Sequence, residues 1–475
     1  MTGALFRSEL GRALRNPLLW LVAVAVHAAA VRTRLSGTAA WAPDLTIETV
    51  DATGDALFVA AGVLLGANLA ILRERRMPER LAALPGRPAD RAVAVAGAFA
   101  VLGAVVAALQ IAAYLVLRIA QGSVGGHLDG FEVACGVTVA ALAAPLGVAL
   151  GRWVPSLVAA PLVLFALMLL TLLNRNLGGF GGWFLPLVLI RTTDGPARPS
   201  ELHLVYLVAV GVAGVGVALL RHRSRRRGAV LGVVLTALVL GVSTGAAAQA
   251  RPGPGPDGRA AEGRAGTDCR RIGAVTYCAL RGYTGWIPRW AAAVAPIEAA
   301  LPASARDGLP TIVQHTAGAP GDTTGSVPVW SVWGRGASER PYRDFLAGDV
   351  AARATGLDTG ERCDASGQAR TVVALWLLGQ VTGRAAGPAT ITVTIATTGS
   401  GGRTLVTRAT PLGVSYGAGE IEHASRLLTM PEAGRRIRAH WSVLVDPATP
   451  IARALPLLGL SGHHHDSPLG PPRCA

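Results

Sequence analysis

The sequence predicts an all-α polytopic membrane bundle followed by a soluble α+β domain. Three observations predict it. Of 475 residues, 51% are hydrophobic and only 15% are charged, well below the roughly 25% charge of ordinary soluble domains. Seven apolar runs of about the length that crosses a bilayer core lie before residue 250. Beyond residue 268 the composition changes to amphipathic helix and strand patterns, with more Trp and Thr.

The elements follow in chain order. Residues 1–15, MTGALFRSELGRALR, place Phe6, Leu10, Ala13 and Leu14 on one helical face, with Arg7, Arg12 and Arg15 flanking it. This is the pattern of an interfacial amphipathic helix that enters the first span at Pro17. Spans are expected at 16–34, 55–72, 92–117, 131–151, 154–173, 202–220 and 229–247. The run 176–190 is apolar but short and glycine-rich, and reads as a re-entrant or interfacial piece. Polar residues inside the spans are few: His27, Asn68, Gln110 and, near one end, Glu132. Such residues are functional candidates, although hydrogen bonding between helices is the plainer role for each. Gly62/Gly66 and Gly147/Gly151 have the spacing that lets helices approach closely.

Arginine sets the orientation. Every basic residue other than histidine is arginine. With the N-terminus inside, fifteen of the loop and flanking arginines fall on the cytoplasmic side, against six outside (Arg32, Arg34, Arg118, Arg175, Arg191 and Arg198). Seven crossings then carry the C-terminus out of the cytoplasm. The arginines of this half are grouped beside apolar segments, so the net charge of +15 does not point to nucleic acid. The absence of lysine also excludes a P-loop in this chain, because that motif needs its lysine at the phosphates.

The loop between the second and third spans, ILRERRMPERLAALPGRPADRA (71–92), has structure of its own. Pro78 suits the first turn of a short helix and Glu79 suits its positive end. Leu81 and Leu84 share a face, and Pro85-Gly86 ends the element. Such a helix, flanked by arginines and joined to two spans, suits docking of a partner protein or anchoring to anionic lipid.

At these two motifs the chain resembles the permease subunits of ABC-2 type transporters. FRSELGRALRNP is similar to their elbow helix. RERRMPERLAALPGRPADR is similar to their coupling helix, with Glu74, Glu79, Leu81, Leu84 and Pro85 in the corresponding places, although Met77-Pro78 stands where the family often has Gly-Thr. The resemblance covers residues 1–225. It implies six permease-like spans (16–225), with the seventh an addition, and ATPase-coupling residues Arg73, Glu74, Arg76, Glu79, Arg80, Leu81, Leu84 and Pro85. It further implies a separate ABC ATPase subunit, a dimer of permease subunits in a bacterial plasma membrane, and export of an apolar or amphipathic substrate. The rival expectation is a non-transporting anchor that displays an extracytoplasmic binding or sensor domain.

Residues 226–250 form the seventh span. Read alone they have the layout of a signal peptide, ending in Ala248-Gln249-Ala250, and an uncleaved anchor is the preferred reading. A Pro/Gly linker (251–267) leads to the α+β domain (268–460) and a polar tail (461–475). Strands are expected at 274–280, 311–315, 327–333, 389–396 and 404–410. Helices are expected at 287–301, 341–355, 367–382, 419–429 and 432–445. Cys269, Cys278, Cys363 and Cys474 lie in this region. An even count in an oxidising compartment suggests two disulfides, for which four cysteines allow three pairings. Cys269–Cys278 closes a hairpin-sized loop and leaves Cys363 to reach the tail, while buried reduced thiols are the alternative. HExxH, GxSxG and paired CxxC motifs are absent, so no catalytic, metal or cofactor site is expected. His463, His464 and His465 read as polar tail, and Trp286, Trp290, Trp330, Trp333, Trp376 and Trp441 as core packing.

Overall fold

The computed structural model describes residues 2–35, 42–76, 87–176, 182–188, 198–221, 227–250, 266–315, 325–330, 333, 339–357, 363–385, 410–461 and 474. The expected strand 389–396, the expected strand 404–410 apart from Thr410, residues 77–86 of the 71–92 loop and the tail histidines lie outside these residues.

The N-terminal half is helical: α1 (Thr2–Leu14), α2 (Pro17–Leu35), α3 (Leu45–Arg76), α4 (Pro88–Ala120), α5 (Gly130–Trp153), α6 (Ala159–Asn176), α7 (Ser200–Leu220) and α8 (Arg227–Ala250). Helices α3, α4, α5, α7 and α8 are long and apolar enough to cross a membrane. With 19 and 18 residues, α2 and α6 span about 28 and 27 Å at 1.5 Å per residue, close to the roughly 30 Å of a hydrocarbon core. Large apolar side chains cover the outside of the bundle. Leu109, Val116, Leu162, Phe165 and Val239 are each more than half exposed. A surface of this kind is stable against lipid and not against water, so the bundle is compatible with a multi-pass membrane protein.

Helix α3 starts well before the apolar run at 55, and carries Glu48, Asp51 and Asp55 into its first turns. It packs against α4 and α5 around Val59, Val63, Ala67, Ile71, Val106, Ala107 and Ala144. Gly147 explains the close α3–α5 approach. A Cβ there would lie 2.4 Å from the Leu64 carbonyl oxygen, so only glycine fits. Helix α1 lies along α4, with Phe6 3.5 Å from the Gly97 position and Ala13 buried. Leu14, expected on the same apolar face as Ala13, is 46% exposed. Between α6 and α7, the described residues 182–188 make a 3-10 turn, Gly182–Phe184, with Leu187 and Val188 buried. This piece is not a crossing helix. Helix α8 packs on α7 and on this turn; its last turn includes Ala248, which is buried.

The C-terminal domain is built on a four-stranded sheet of β1 (Thr267–Ile272), β2 (Val275–Leu280), β3 (Thr311–His315) and β4 (Ser326–Trp330), in that order. The β1–β2 pair is an antiparallel hairpin; β2–β3 and β3–β4 are parallel. Helices α9 (Ile287–Ala300), α10 (Glu339–Ala354), α11 (Ala369–Thr382), α12 (Ala418–Thr429), α13 (Ala433–Ala439), α14 (Trp441–Leu444) and α15 (Ile451–Leu458), with a single helical turn at Ala303–Arg306, accompany the sheet. The expected helix 432–445 is broken at His440, and β1 and α15 are elements the sequence patterns did not announce. Tyr277, Trp286, Trp290, Ile312, Val327 and Leu375 are all at most 1% exposed in the core.

Two disulfides close this domain. Cys269 and Cys278 sit directly opposite in the β1–β2 register and are bonded. Cys363 is bonded to Cys474 across 111 residues. Gln368 Nε2 and Arg370 donate to the Cys474 carbonyl at 2.9 and 3.1 Å, which fixes the end of the tail.

The Gly147 contact yields a test. Gly147→Leu forces the α3 backbone away, whereas Gly232 on α8 has nothing within 4 Å of its Cβ position. Thermal unfolding in detergent is expected to show Gly147→Leu destabilised by about 1–3 kcal/mol or more, and Gly232→Ala within about 0.5 kcal/mol of the parent.

Candidate functional site

The bundle has two charged ends. The end that meets the C-terminal domain is called upper here and the opposite end lower. Helix α3 carries an arginine-paired carboxylate near each, Glu48 above and Glu74 below.

At the lower end Glu74 accepts from Arg152 of α5 at 2.9 Å, and its other oxygen lies 3.0 Å from Arg91 of α4. Arg152 also donates to the Pro88 carbonyl at 3.3 Å, and Arg75 donates to the Arg152 carbonyl. One largely enclosed carboxylate, 14% exposed, therefore ties the ends of three helices together beside the 77–86 segment. Arg73 is exposed on α3 and Arg76 is its last residue. Glu79, Arg80, Leu81, Leu84 and Pro85 lie outside the described residues.

At the upper end Glu48 takes the Arg118 guanidinium, Nε at 2.9 Å and an Nη at 2.6 Å, and also accepts from Tyr114. Both charged side chains are wholly buried. Removing one partner of such a pair typically costs about 3–5 kcal/mol, because the other charge is stranded. A second pair lies alongside. Arg198 grips Glu132 at 3.2 and 3.3 Å, donates to the Val188 carbonyl and lies 5.2 Å from the Trp183 ring centre. Ser200 donates to Asp129 and Glu132 at 2.7 and 3.0 Å, and Cys135 donates to the Ser200 carbonyl at 3.4 Å. His203 stacks on Tyr206 and meets Trp183 edge-on. This network joins α5, α7 and residues 182–188.

Of the intramembrane candidates, Asn68 is buried and donates to the Gly147 carbonyl at 3.3 Å, an interhelical bond. Gln110 is 9% exposed and its amide atoms have no hydrogen-bond partner among the described residues. His27 is half-buried on α2. The residues that sequence reasoning passed over are Glu48, Arg118, Asp129, Arg152, Arg198 and His203. Their signal was faint, since each sits at the flank of an apolar run, where a charge ordinarily faces water.

The C-terminal domain seats on the upper loops. Leu45 N donates to the Gly125 carbonyl and Gly125 N to the Pro43 carbonyl, so the α2–α3 and α4–α5 connections form one surface. Trp286, 1% exposed, donates Nε1 to the Pro43 carbonyl at 3.1 Å, and Tyr283 donates to Asp44 at 3.3 Å. Ala42 is part of the domain's own core. A Cβ on Gly285 would lie 2.0 Å from the Val124 carbonyl oxygen, and one on Gly125 2.5 Å from Trp286. Asp44 also caps α3, accepting from Thr46 N at 3.1 Å. Within the domain, burial raises the Asp349 carboxyl to about 7, with Arg353 opposing, and burial lowers the His315 imidazole. Groups of three or more His, Cys, Asp or Glu able to hold a metal are absent among the described residues.

No protein-family model matches the chain, and no curated protein or solved structure matches it. The fold and its two ends define a class: a helical bundle with five candidate membrane-spanning helices and a disulfide-bonded sheet domain seated on one end.

The seating has a direct test. After cleavage at a protease site introduced into residues 251–265, the C-terminal domain is expected to stay with the membrane half on gel filtration. Trp286→Ala, which removes a buried aromatic anchor worth about 3–5 kcal/mol, is expected to release it.

Proposed function

We propose that this chain is the membrane subunit of an ABC-type exporter. A separate ATPase dimer would supply ATP hydrolysis and act on residues 74–85. One observation carries the reading: the segment that resembles a coupling helix hangs between two helix ends that Glu74 ties to each other and to α5. A push on that segment reaches three helices at once through the paired Glu74 carboxylate, instead of being absorbed by a loose loop. The elbow-like α1, packed along α4, adds support at the same end.

In this mechanism ATP-driven closure of the ATPase dimer displaces the 74–85 element. The α3–α4 pair tilts as a unit, because Glu48–Arg118 holds its upper end as Glu74 holds its lower end. In a dimer of subunits the two bundles then rearrange, and an apolar or amphipathic substrate passes outward or laterally into the lipid. The N-terminus and the 77–86 segment lie in the cytoplasm of a bacterium, and the disulfide-bonded domain lies outside, where oxidising conditions keep its cysteines paired. Seated on the α3 N-terminus, that domain moves with the hairpin. No residue of this chain performs catalysis.

Affinity purification of the detergent-solubilised protein is expected to recover a P-loop ATPase. Reversing charge at Arg76, Glu79 and Arg80 together is expected to cut that recovery by on the order of tenfold or more. Recovery of no ATPase, or recovery that survives the reversal, favours a membrane anchor that only displays the C-terminal domain.

A further inference from the structure

Four guanidinium groups gather at the lower end, where a single carboxylate, Glu74, pairs with two of them. Arg152 has Arg75, Arg91 and Arg221 as its positive electrostatic neighbours, and Glu74 as its negative one. Glu74 is already shared between Arg91 and Arg152. Arg75 donates only to a neutral carbonyl, that of Arg152. Arg221 lies over the Trp153 ring at 5.6 Å. Neither Arg75 nor Arg221 has a carboxylate partner among the described residues, and the buried Nε of Arg152 has no acceptor there. Like charges gathered where water is scarce repel strongly, and an unanswered buried donor is costly. Among the described residues the cluster has one carboxylate for four guanidiniums and has room for a further anion.

Its level in the bundle identifies the anion. Glu48 and Glu74 stand 26 residues apart on one helix, about 39 Å at 1.5 Å per residue. That is close to the 40–45 Å of a bilayer including its headgroups. With the upper ion pair at one headgroup layer, the arginine cluster falls in the other. The side on which Arg221 lies faces lipid, since Trp153, Val154, Leu157 and Val158 are each about half exposed there. An interfacial tryptophan beside arginine is the expected marker of that layer. Guanidinium forks present several fixed donors to the oxygens of a phosphate.

We propose that Arg75, Arg152 and Arg221 form a binding site for the phosphate of an anionic phospholipid, set between the lower ends of α3, α5 and α7. A partner protein's acidic side chain is the less suitable occupant. It would meet the exposed Arg73 first, and would have to enter between helix ends where Arg152 is only 10% exposed. The site does not depend on the exporter reading, and serves an anchor equally well.

The test uses the full-length chain, delipidated in detergent and titrated with phosphatidylglycerol, phosphatidylcholine or inorganic phosphate. Native mass spectrometry counts retained lipid, and thermal unfolding gives the midpoint. Phosphatidylglycerol is expected to be retained and to raise the midpoint, and phosphatidylcholine to do neither. Arg75→Gln with Arg221→Gln leaves Glu74 both of its partners, and is expected to weaken phosphatidylglycerol retention by on the order of tenfold. Arg221→Gln alone, at an exposed side chain, gives a smaller loss and guards against misfolding of the double variant. Arg73→Gln should change nothing. An equal midpoint shift from inorganic phosphate overturns the lipid as the source and leaves a free-anion site. Equal retention of the two lipids, or retention unchanged in both variants, overturns the site.

Discussion

One helix holds the molecule together through two carboxylates. Glu48 and Glu74 lie at opposite ends of α3, and each takes arginine from a neighbour: Arg118 of α4 above, Arg91 of α4 and Arg152 of α5 below. Between them the α3–α4–α5 contact is apolar and close, with Gly147 admitting the α3 backbone. In lipid there is little hydrophobic force between helices, so close packing and paired polar groups must supply the specificity. A helix pinned at both ends cannot slide against its neighbour without stranding a charge. It can tilt only together with it.

That constraint links the two ends. Asp44 caps α3 just before Glu48 and also receives Tyr283 from the C-terminal domain. The domain is therefore joined to the bundle twice, through α8 in sequence and through the Pro43–Gly126 surface in space. The second connection is closely packed: Trp286 is buried in it and Gly125 and Gly285 leave no room for side chains. Whatever the domain binds acts on the N-terminus of the same helix whose far end carries the arginine cluster. Under the exporter proposal, this gives the domain a mechanical part to play rather than a tethered one.

The sequence made the apolar half and its glycine contacts legible, because period, length and composition are local properties. Strands β2, β3 and β4 and helices α9 to α12 were likewise readable from amphipathic pattern. The Cys269–Cys278 hairpin and the reach of Cys363 to the tail followed from spacing. The ion pairs were not legible. Glu48 and Arg118 are distant in the chain and sit at run edges, where each alone looks like a solvated flank; only the three-dimensional pairing turns them into a buried lock. Trp286 was correctly assigned to a core, but nothing in its neighbourhood announces that the core includes Ala42 or that its indole bonds to Pro43. The edge strand β1, whose residues are largely exposed, carried too little apolar period to be seen, while α15 is amphipathic but only eight residues long and holds Pro456 inside it.

The central claim is that the 77–86 segment and the C-terminal domain lie on opposite faces of a membrane, with the segment inside. Glu79→Cys and Asp307→Cys, each treated on intact cells with a membrane-impermeant thiol reagent, test it most directly, since the remaining free thiol, Cys135, is buried. The account predicts labelling at position 307 and none at 79 until the cells are permeabilised. Labelling at 79 with protection at 307 would contradict it.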